Sequence, residues 1–143
     1  MSNDKPFDPN DPCLFCNPSD DEIIAETEHA WLIKDCFPVS PGHCLVIPKR
    51  HIRSYFDSTP AEAADYHTLI QKAKSWVEAQ HTPDGYNIGC NNEEAAGQSV
   101  FHLHIHIIPR YRGDVENPRG GVRNVVPKAA RYDINEHKKA KGG

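Results

Sequence analysis

A chain of 143 residues, 38% of them hydrophobic, has room for one domain with a buried core and excludes a second full domain. Its formal net charge of −4, with histidines neutral, excludes bulk charge as a means of holding nucleic acid or a membrane. The start MSNDKPFDPNDP is acidic and proline-rich, unlike a signal peptide, and no apolar run has the length of a membrane span, so a cytoplasmic location is expected.

Residues 1–12 are predicted to form a disordered N-terminal arm. CLFC at 13–16 follows, a CxxC pattern that serves either as half of a zinc site or as a redox pair. No second CxxC exists, so a metal would need histidines from elsewhere, and the pair lacks the strand-to-helix setting of a thioredoxin-like pair. With an odd total of five cysteines, reduced thiols are expected, and Cys36, Cys44 and Cys90 read as small core residues.

From Ile23 to Ile47 the pieces IIAET, AWLIKDC and HCLVI alternate with turns, as in an antiparallel meander. Thr59 is the N-cap of the one long helix, with Pro60 at its first position and Glu62 completing a capping box. Tyr66, Leu69, Ile70, Ala73, Trp76 and Val77 form its apolar stripe, which leaves His67 exposed. GYNIGC (85–90) reads as a strand, NNEEAAGQ as a loop, and SVFHLHIHIIP as the longest strand-like run. The C-terminal GDVENPRGGVRNVVP is punctuated as a loop, and NEHKKAKGG is expected to be disordered. The predicted fold class is α+β, one helix on an antiparallel sheet, over 13–113, followed by a loop-rich basic segment at 114–143.

HLHIHII (102–108) places three histidines at two-residue spacing. On a strand they share one face, opposite Leu103, Ile105 and Ile107, so the apolar face takes the core and the imidazoles face a cleft or solvent. At ~3.3 Å per residue, His102 and His106 start about 13 Å apart, which disfavours one tetrahedral ion held by all three. The other chemistry open to the row is nucleophilic attack on phosphorus, because an imidazole of ordinary pKa is neutral near pH 7. Gly97–Gln98–Ser99, three residues upstream, offers backbone N–H groups, an amide and a hydroxyl to phosphate oxygens. Residues 107–143 carry nine Lys/Arg against four acids, which suits an anionic substrate or simply an exposed terminus.

GQSVFHLHIHIIPR resembles the histidine triad superfamily, whose pattern is His-φ-His-φ-His-φ-φ with φ apolar, and SPGHCLVIPKRH (40–51) is similar to the family's N-terminal signature. GDVENPRGGVR is similar to a bacterial branch related to fragile histidine triad hydrolases of dinucleoside polyphosphates. The resemblance implies an antiparallel half-barrel sheet of about five strands with one long helix, continued across a homodimer. It implies hydrolysis of a nucleotide α-phosphate bond through a covalent nucleotidyl-histidine, with nucleotidyl transfer to phosphate, or nucleotide binding without turnover, as alternatives.

By position, His104 is the expected nucleophile, with His106, His43 and Gln98 completing the catalytic set. Asn91, Gln98, Ser99 and His106 are the expected phosphate contacts, and Asp35 is expected at the ribose hydroxyls, a task that suits a carboxylate. Without the resemblance, Asp35 reads equally as an exposed turn aspartate and His43 as a strand-end polar residue. The resemblance further implies a structural zinc ion on Cys13, Cys16, His51 and His102. Arg110, Arg112, Arg119 and Arg123 are candidates for distal phosphates of a dinucleotide. The expected partners are a nucleotide substrate and a second copy of the chain, with neither nucleic acid nor membrane.

Overall fold

The computed structural model describes residues 13–130 together with Asn135 and Gly142; the disorder expected of 1–12 and of NEHKKAKGG falls, apart from those two residues, outside them. Five strands form: β1 (Ile23–Glu26), β2 (Ala30–Lys34), β3 (Cys44–Pro48), β4 (Gly85–Gly89) and β5 (Ile105–Arg110). They make one antiparallel sheet in the order β1-β2-β3-β5-β4, with β1 and β4 at its edges. The helix α1 spans Pro60–Glu78 and starts as its capping box requires, with Thr59 accepting from the Glu62 N–H and Glu62 accepting from the Thr59 N–H. His67 is exposed, as its place off the apolar stripe demands. No described helix is long and apolar enough to cross a membrane.

Strand alternation divides the apolar residues between two faces. Ala30, Leu32, Cys44, Val46, Ile105 and Ile107 pack with Tyr66, Leu69, Ala73 and Val77 of α1 in the main core. The other face carries Ile33, Leu45 and Ile47 with Ile23 and Trp31 beside them, and there Phe15 packs on it in place of a helix. His106 opposes Leu45 in the β3–β5 ladder, so it belongs to this second face. Residues 13–22 precede β1, with the Glu22 carbonyl accepting from the Lys34 N–H of β2, and Phe15 is the aromatic they contribute to that face.

One expectation about this region needs correction. The histidine-bearing run is not one strand: β5 begins at Ile105, after His102 and His104. Continued register would set Leu103 against Pro48, which has no N–H to donate, and Leu103 donates to the Ile52 carbonyl instead. Of the cleft or solvent expected for the imidazoles, solvent does not hold for His102 and His104, which are 0% and 9% exposed, while His106 is half-buried. Cys36 also departs from the core role expected of it: β2 ends at Lys34, and Cys36 is exposed in the following turn, whereas Cys44 is buried and Cys90 packs against the core.

The chain divides into two compact units, residues 1–111 and 112–143. Described by itself, the second holds short 3₁₀ turns at Gly121–Val125 and Pro127–Ala129. Arg123 closes them by donating to the carbonyls of Ala129 and Ala130, both at 2.9 Å.

Candidate active site and metal centre

His43 owes its position to the turn Ser40–Pro41–Gly42–His43, closed by the His43 N–H on the Ser40 carbonyl at 3.2 Å. Gly42 has φ +90°, and a Cβ there would stand 3.2–3.3 Å from Val77, His81 and Pro109, so both conformation and space call for glycine. The Ser40 hydroxyl donates to the Pro109 carbonyl at 2.6 Å and ties the turn to β5.

Each histidine has one hydrogen bond that decides where its proton resides. A carbonyl only accepts, so the 2.8 Å bond from His102 Nε2 to Pro48 O puts the His102 proton on Nε2 and leaves Nδ1 as a bare lone pair. The 2.9 Å bond from His104 Nδ1 to the His102 carbonyl likewise puts the His104 proton on Nδ1 and leaves Nε2 bare. At His43 the polarity is reversed. The Val39 N–H donates to His43 Nδ1 at 3.1 Å, so neutral His43 carries its proton on Nε2. That nitrogen lies 3.0 Å from His106 Nδ1 and 3.3 Å from Asp35 Oδ2. Donation from His43 to His106 Nδ1 places the remaining His106 proton on Nε2, where it is available to an oxygen.

Burial lowers the pKa values of His43, His104 and His106 below the ordinary histidine value, His106 to about 4. The Asp35 carboxylate opposes this at all three. The rings are therefore neutral near pH 7, the form in which a lone pair can attack and an N–H can donate a hydrogen bond.

The bare Nδ1 of His102 faces a different set. It lies 3.2 Å from His51 Nδ1, 3.6 Å from Cys13 Sγ and 3.5 Å from Cys16 Sγ, and His51 Nδ1 lies 3.7 Å and 3.0 Å from the same two sulfurs. Tetrahedral zinc, with bonds of about 2.3 Å to sulfur and 2.0–2.1 Å to nitrogen, separates its ligand atoms by roughly 3.4–3.8 Å. The donor set and the bare nitrogen fit such an ion; three of the five distances fall in this range, and those from His51 to Cys16 and to His102 are shorter, at 3.0 and 3.2 Å. Burial and the adjacent Cys13 push the Cys16 thiol up to about 12, and a dication at the centre would invert that preference. Asp35, His43 and His106 also lie within metal-binding distance of one another. There the fit fails, because the Val39 N–H occupies His43 Nδ1 and the nitrogen facing the cluster carries the proton.

The phosphate-loop residues are placed less as expected. Gln98 is 3% exposed; its Nε2 donates to the carbonyls of Arg53 and Val100, and its Oε1 accepts from the Glu93 N–H. The amide thus ties the loop to Arg53 and Val100 while its oxygen closes the loop on Glu93. Ser99 is exposed and Asn91 half-buried, and neither side chain makes a hydrogen bond among the described residues. Asp35 caps its own turn, its Oδ1 accepting from the Phe37 N–H at 2.7 Å, while Oδ2 stands beside His43. Of the arginines, Arg110 donates to Asn87 across the β4–β5 pair and Arg123 is engaged within the second unit.

Other participants carried no signal in the sequence reading. Phe15 lies with its ring centroid 5.0 Å from that of His104 and 6.2 Å from that of His102. Val39 and Pro48 act through backbone groups, to which side-chain patterns are blind. Glu93 has φ +79° and ψ 162°, a conformation costly for any residue with a Cβ, and is held there by Gln98 and by an ion pair with Arg53 at 2.7 Å. A pocket of about 390 Å³ on the helix side, lined by Tyr55, Tyr66, His67, Ile88 and Cys90 among others, includes none of the expected site residues.

Residues 17–113 match the HIT domain family. The chain is 41% identical over 96 residues to a bis(5'-adenosyl)-triphosphatase of Dictyostelium discoideum, covering 67% of this chain and 64% of that protein. It is 34% identical over 99 residues to an AP-4-A phosphorylase of Mycobacterium tuberculosis, covering 67% of this chain and 51% of that one. Among solved structures, a Zn-bound histidine triad family protein from Mycobacterium smegmatis superposes with a TM-score of 0.64 at 36% identity, covering 74% of this chain and 80% of that one. The match over most of the chain, together with the fold and the buried histidine row, shows that this protein belongs to the histidine triad family.

Proposed function

We propose that the protein hydrolyses a nucleotide α-phosphate bond, with dinucleoside polyphosphates as the favoured substrates and His104 as the nucleophile. The observation that carries this reading is the bond from His104 Nδ1–H to the His102 carbonyl, which aims a bare, neutral Nε2 away from the backbone beside a second histidine with an N–H to donate. In the first step the His104 Nε2 lone pair forms a bond to Pα and the bond from Pα to the leaving oxygen breaks. The leaving oxygen departs as a phosphate anion that accepts a hydrogen bond from the Nε2–H of His106. In the second step water attacks Pα as the nitrogen–phosphorus bond breaks, and the proton of the water passes to solvent. Ser99, Asn91 and the loop's backbone N–H groups are assigned to phosphate oxygens, and Asp35 to the ribose.

Cys13, Cys16, His51 and His102 would hold zinc, an assignment supported by the zinc-bound relative and by the Cys/His cluster. Bound there with four protein ligands, zinc supplies a clamp rather than a reactive water. The protein is proposed to act as a homodimer, and the edge strand β4 offers an unpaired side through which the sheet could continue.

A second reading, phosphorolysis, is favoured by the likeness to a named AP-4-A phosphorylase. In it phosphate replaces water in the second step. The deciding experiment incubates the protein with diadenosine tetraphosphate, with and without inorganic phosphate, beside a His104→Ala variant. Hydrolysis at Pα releases AMP and ATP whether or not phosphate is present, whereas phosphorolysis yields ADP only when it is. Loss of the nucleophile is expected to cost on the order of 10⁴-fold or more in turnover. Unchanged turnover in the variant would exclude His104 as nucleophile.

A further inference from the structure

We propose that Phe15 is a positioning residue for His104, and that the cysteine-histidine cluster thereby sets the aim of the nucleophile as well as holding the N-terminal segment down. The inference rests on the reading of His104 as nucleophile.

His104 is held from three directions. Its Nδ1 is bonded to the His102 carbonyl, the His106 ring stands on one side at a centroid distance of 5.2 Å, and the Phe15 ring stands at 5.0 Å with an interplanar angle of 44°. A single hydrogen bond at Nδ1 constrains the ring at one atom and leaves rocking about its torsions. Packing against a flat, apolar ring removes that freedom. Two of the three restraints lead back to the cluster. The carbonyl belongs to His102, whose own ring points Nδ1 into the cluster, and Phe15 lies between Cys13 and Cys16 in sequence.

Residues 13–21 pair with no strand among the described residues, so Phe15 is placed by its seat on Ile33, Leu45 and Ile47 and by the two flanking thiols. A metal that draws Cys13 and Cys16 onto His51 and His102 would therefore fix the cover and the anchor of His104 together. An N-terminal clamp of purely structural purpose would need no contact with the reacting ring.

The test uses the full-length, zinc-loaded protein as wild type, Phe15→Ala and Phe15→Leu, with three readouts. These are zinc content, histidine ring-nitrogen NMR to follow the His104 tautomer, and kcat and KM on diadenosine tetraphosphate. The expected result is that Phe15→Ala keeps one zinc per chain and its KM, while kcat falls about 10- to 100-fold, the size of effect that a misplaced reacting group produces. Its His104 signal is expected to lose the single Nδ1–H form, and Phe15→Leu is expected to recover most of both. A raised KM at unchanged kcat would overturn the proposal in favour of a substrate contact. An unchanged His104 signal would overturn it as well, as would zinc loss in both variants. Wild-type turnover that survives His104→Ala would instead fail the functional reading, and the proposal with it, whereas normal dependence on His104 with an indifferent Phe15 would fail the proposal alone.

Discussion

His102 and His43 are both buried imidazoles, each standing within about hydrogen-bonding distance of a second imidazole, yet they suit opposite chemistries. At His102 the outer nitrogen meets a carbonyl, so the inner nitrogen is bare and faces two thiols and another ring. At His43 the outer nitrogen meets an amide N–H, so the inner nitrogen carries a proton and faces a carboxylate and another ring. The backbone group behind each ring, an acceptor in one case and a donor in the other, divides a donor set that fits a metal from a pair of rings that share a hydrogen bond. His104 connects the two, since its Nδ1 rests on the His102 carbonyl while its ring packs against His106.

The sharpest way to break this comparison is to remove one member of each cluster and read both outputs. Cys16→Ser is expected to lose stoichiometric zinc and to lower the unfolding midpoint by about 10 °C or more, since metal-binding free energy in a closed site is folding free energy. His106→Gln is expected to keep its zinc while turnover falls about 10²- to 10⁴-fold, the usual contribution of a positioned donor. Elemental analysis, calorimetry and steady-state rates on the same preparations check both. Zinc loss in His106→Gln would dissolve the distinction.

A smaller effect sharpens the proton side. His106 has a folded pKa of about 4 against the ordinary 6.5, and His43 is lowered too, in each case first by burial. Between those values the unfolded chain binds more protons than the native one, so the histidine contribution to stability is lost as pH falls from about 6.5 toward 4 and levels off below. Glu62 acts in a lower window. Arg50 holds its carboxyl near 2, so its contribution is present above the ordinary carboxylate range and lost as pH falls toward 2. Denaturant unfolding at pH 7 and pH 5 is expected to show a smaller loss for His106→Gln than for wild type, and an equal loss would remove burial of neutral His106 from the account.

The same distinction marks where the sequence was legible. All five strands and the helix follow from alternation, turn residues and the Thr59 capping box, because those signals live in side-chain order. The grouping of Cys13, Cys16, His51 and His102 was also anticipated, although spacing alone left a redox pair open and only the family resemblance named the set. What escaped was backbone polarity. Pro48 O, Val39 N and His102 O decide three tautomers, and no pattern of side chains announces which peptide group will turn toward a ring. The hydrogen bonds of the Gln98 amide to the Arg53 and Val100 carbonyls were not legible for a related reason, since GQS announces the donors but not the peptide groups they meet.

The smallest expected effect belongs to Thr59→Ala and asks whether the helix start and the clusters are separate. The Thr59 hydroxyl accepts from the Glu62 N–H at 3.1 Å, and Glu62 in turn receives two bonds from Arg50, the residue before the zinc-ligand candidate His51. Removing the hydroxyl leaves one helix donor without its cap but spares the bonds between Glu62 and Arg50, so the loss is expected to be about 1 kcal/mol. Zinc content and turnover are expected to stay at wild-type values, because the helix packs on the face of the sheet opposite His106. Calorimetry beside a metal assay and a rate measurement checks this. A fall in zinc or in turnover out of proportion to so small a loss would mean that Arg50 transmits the cap's condition to His51, and the metal centre would then extend through the sheet to the start of α1.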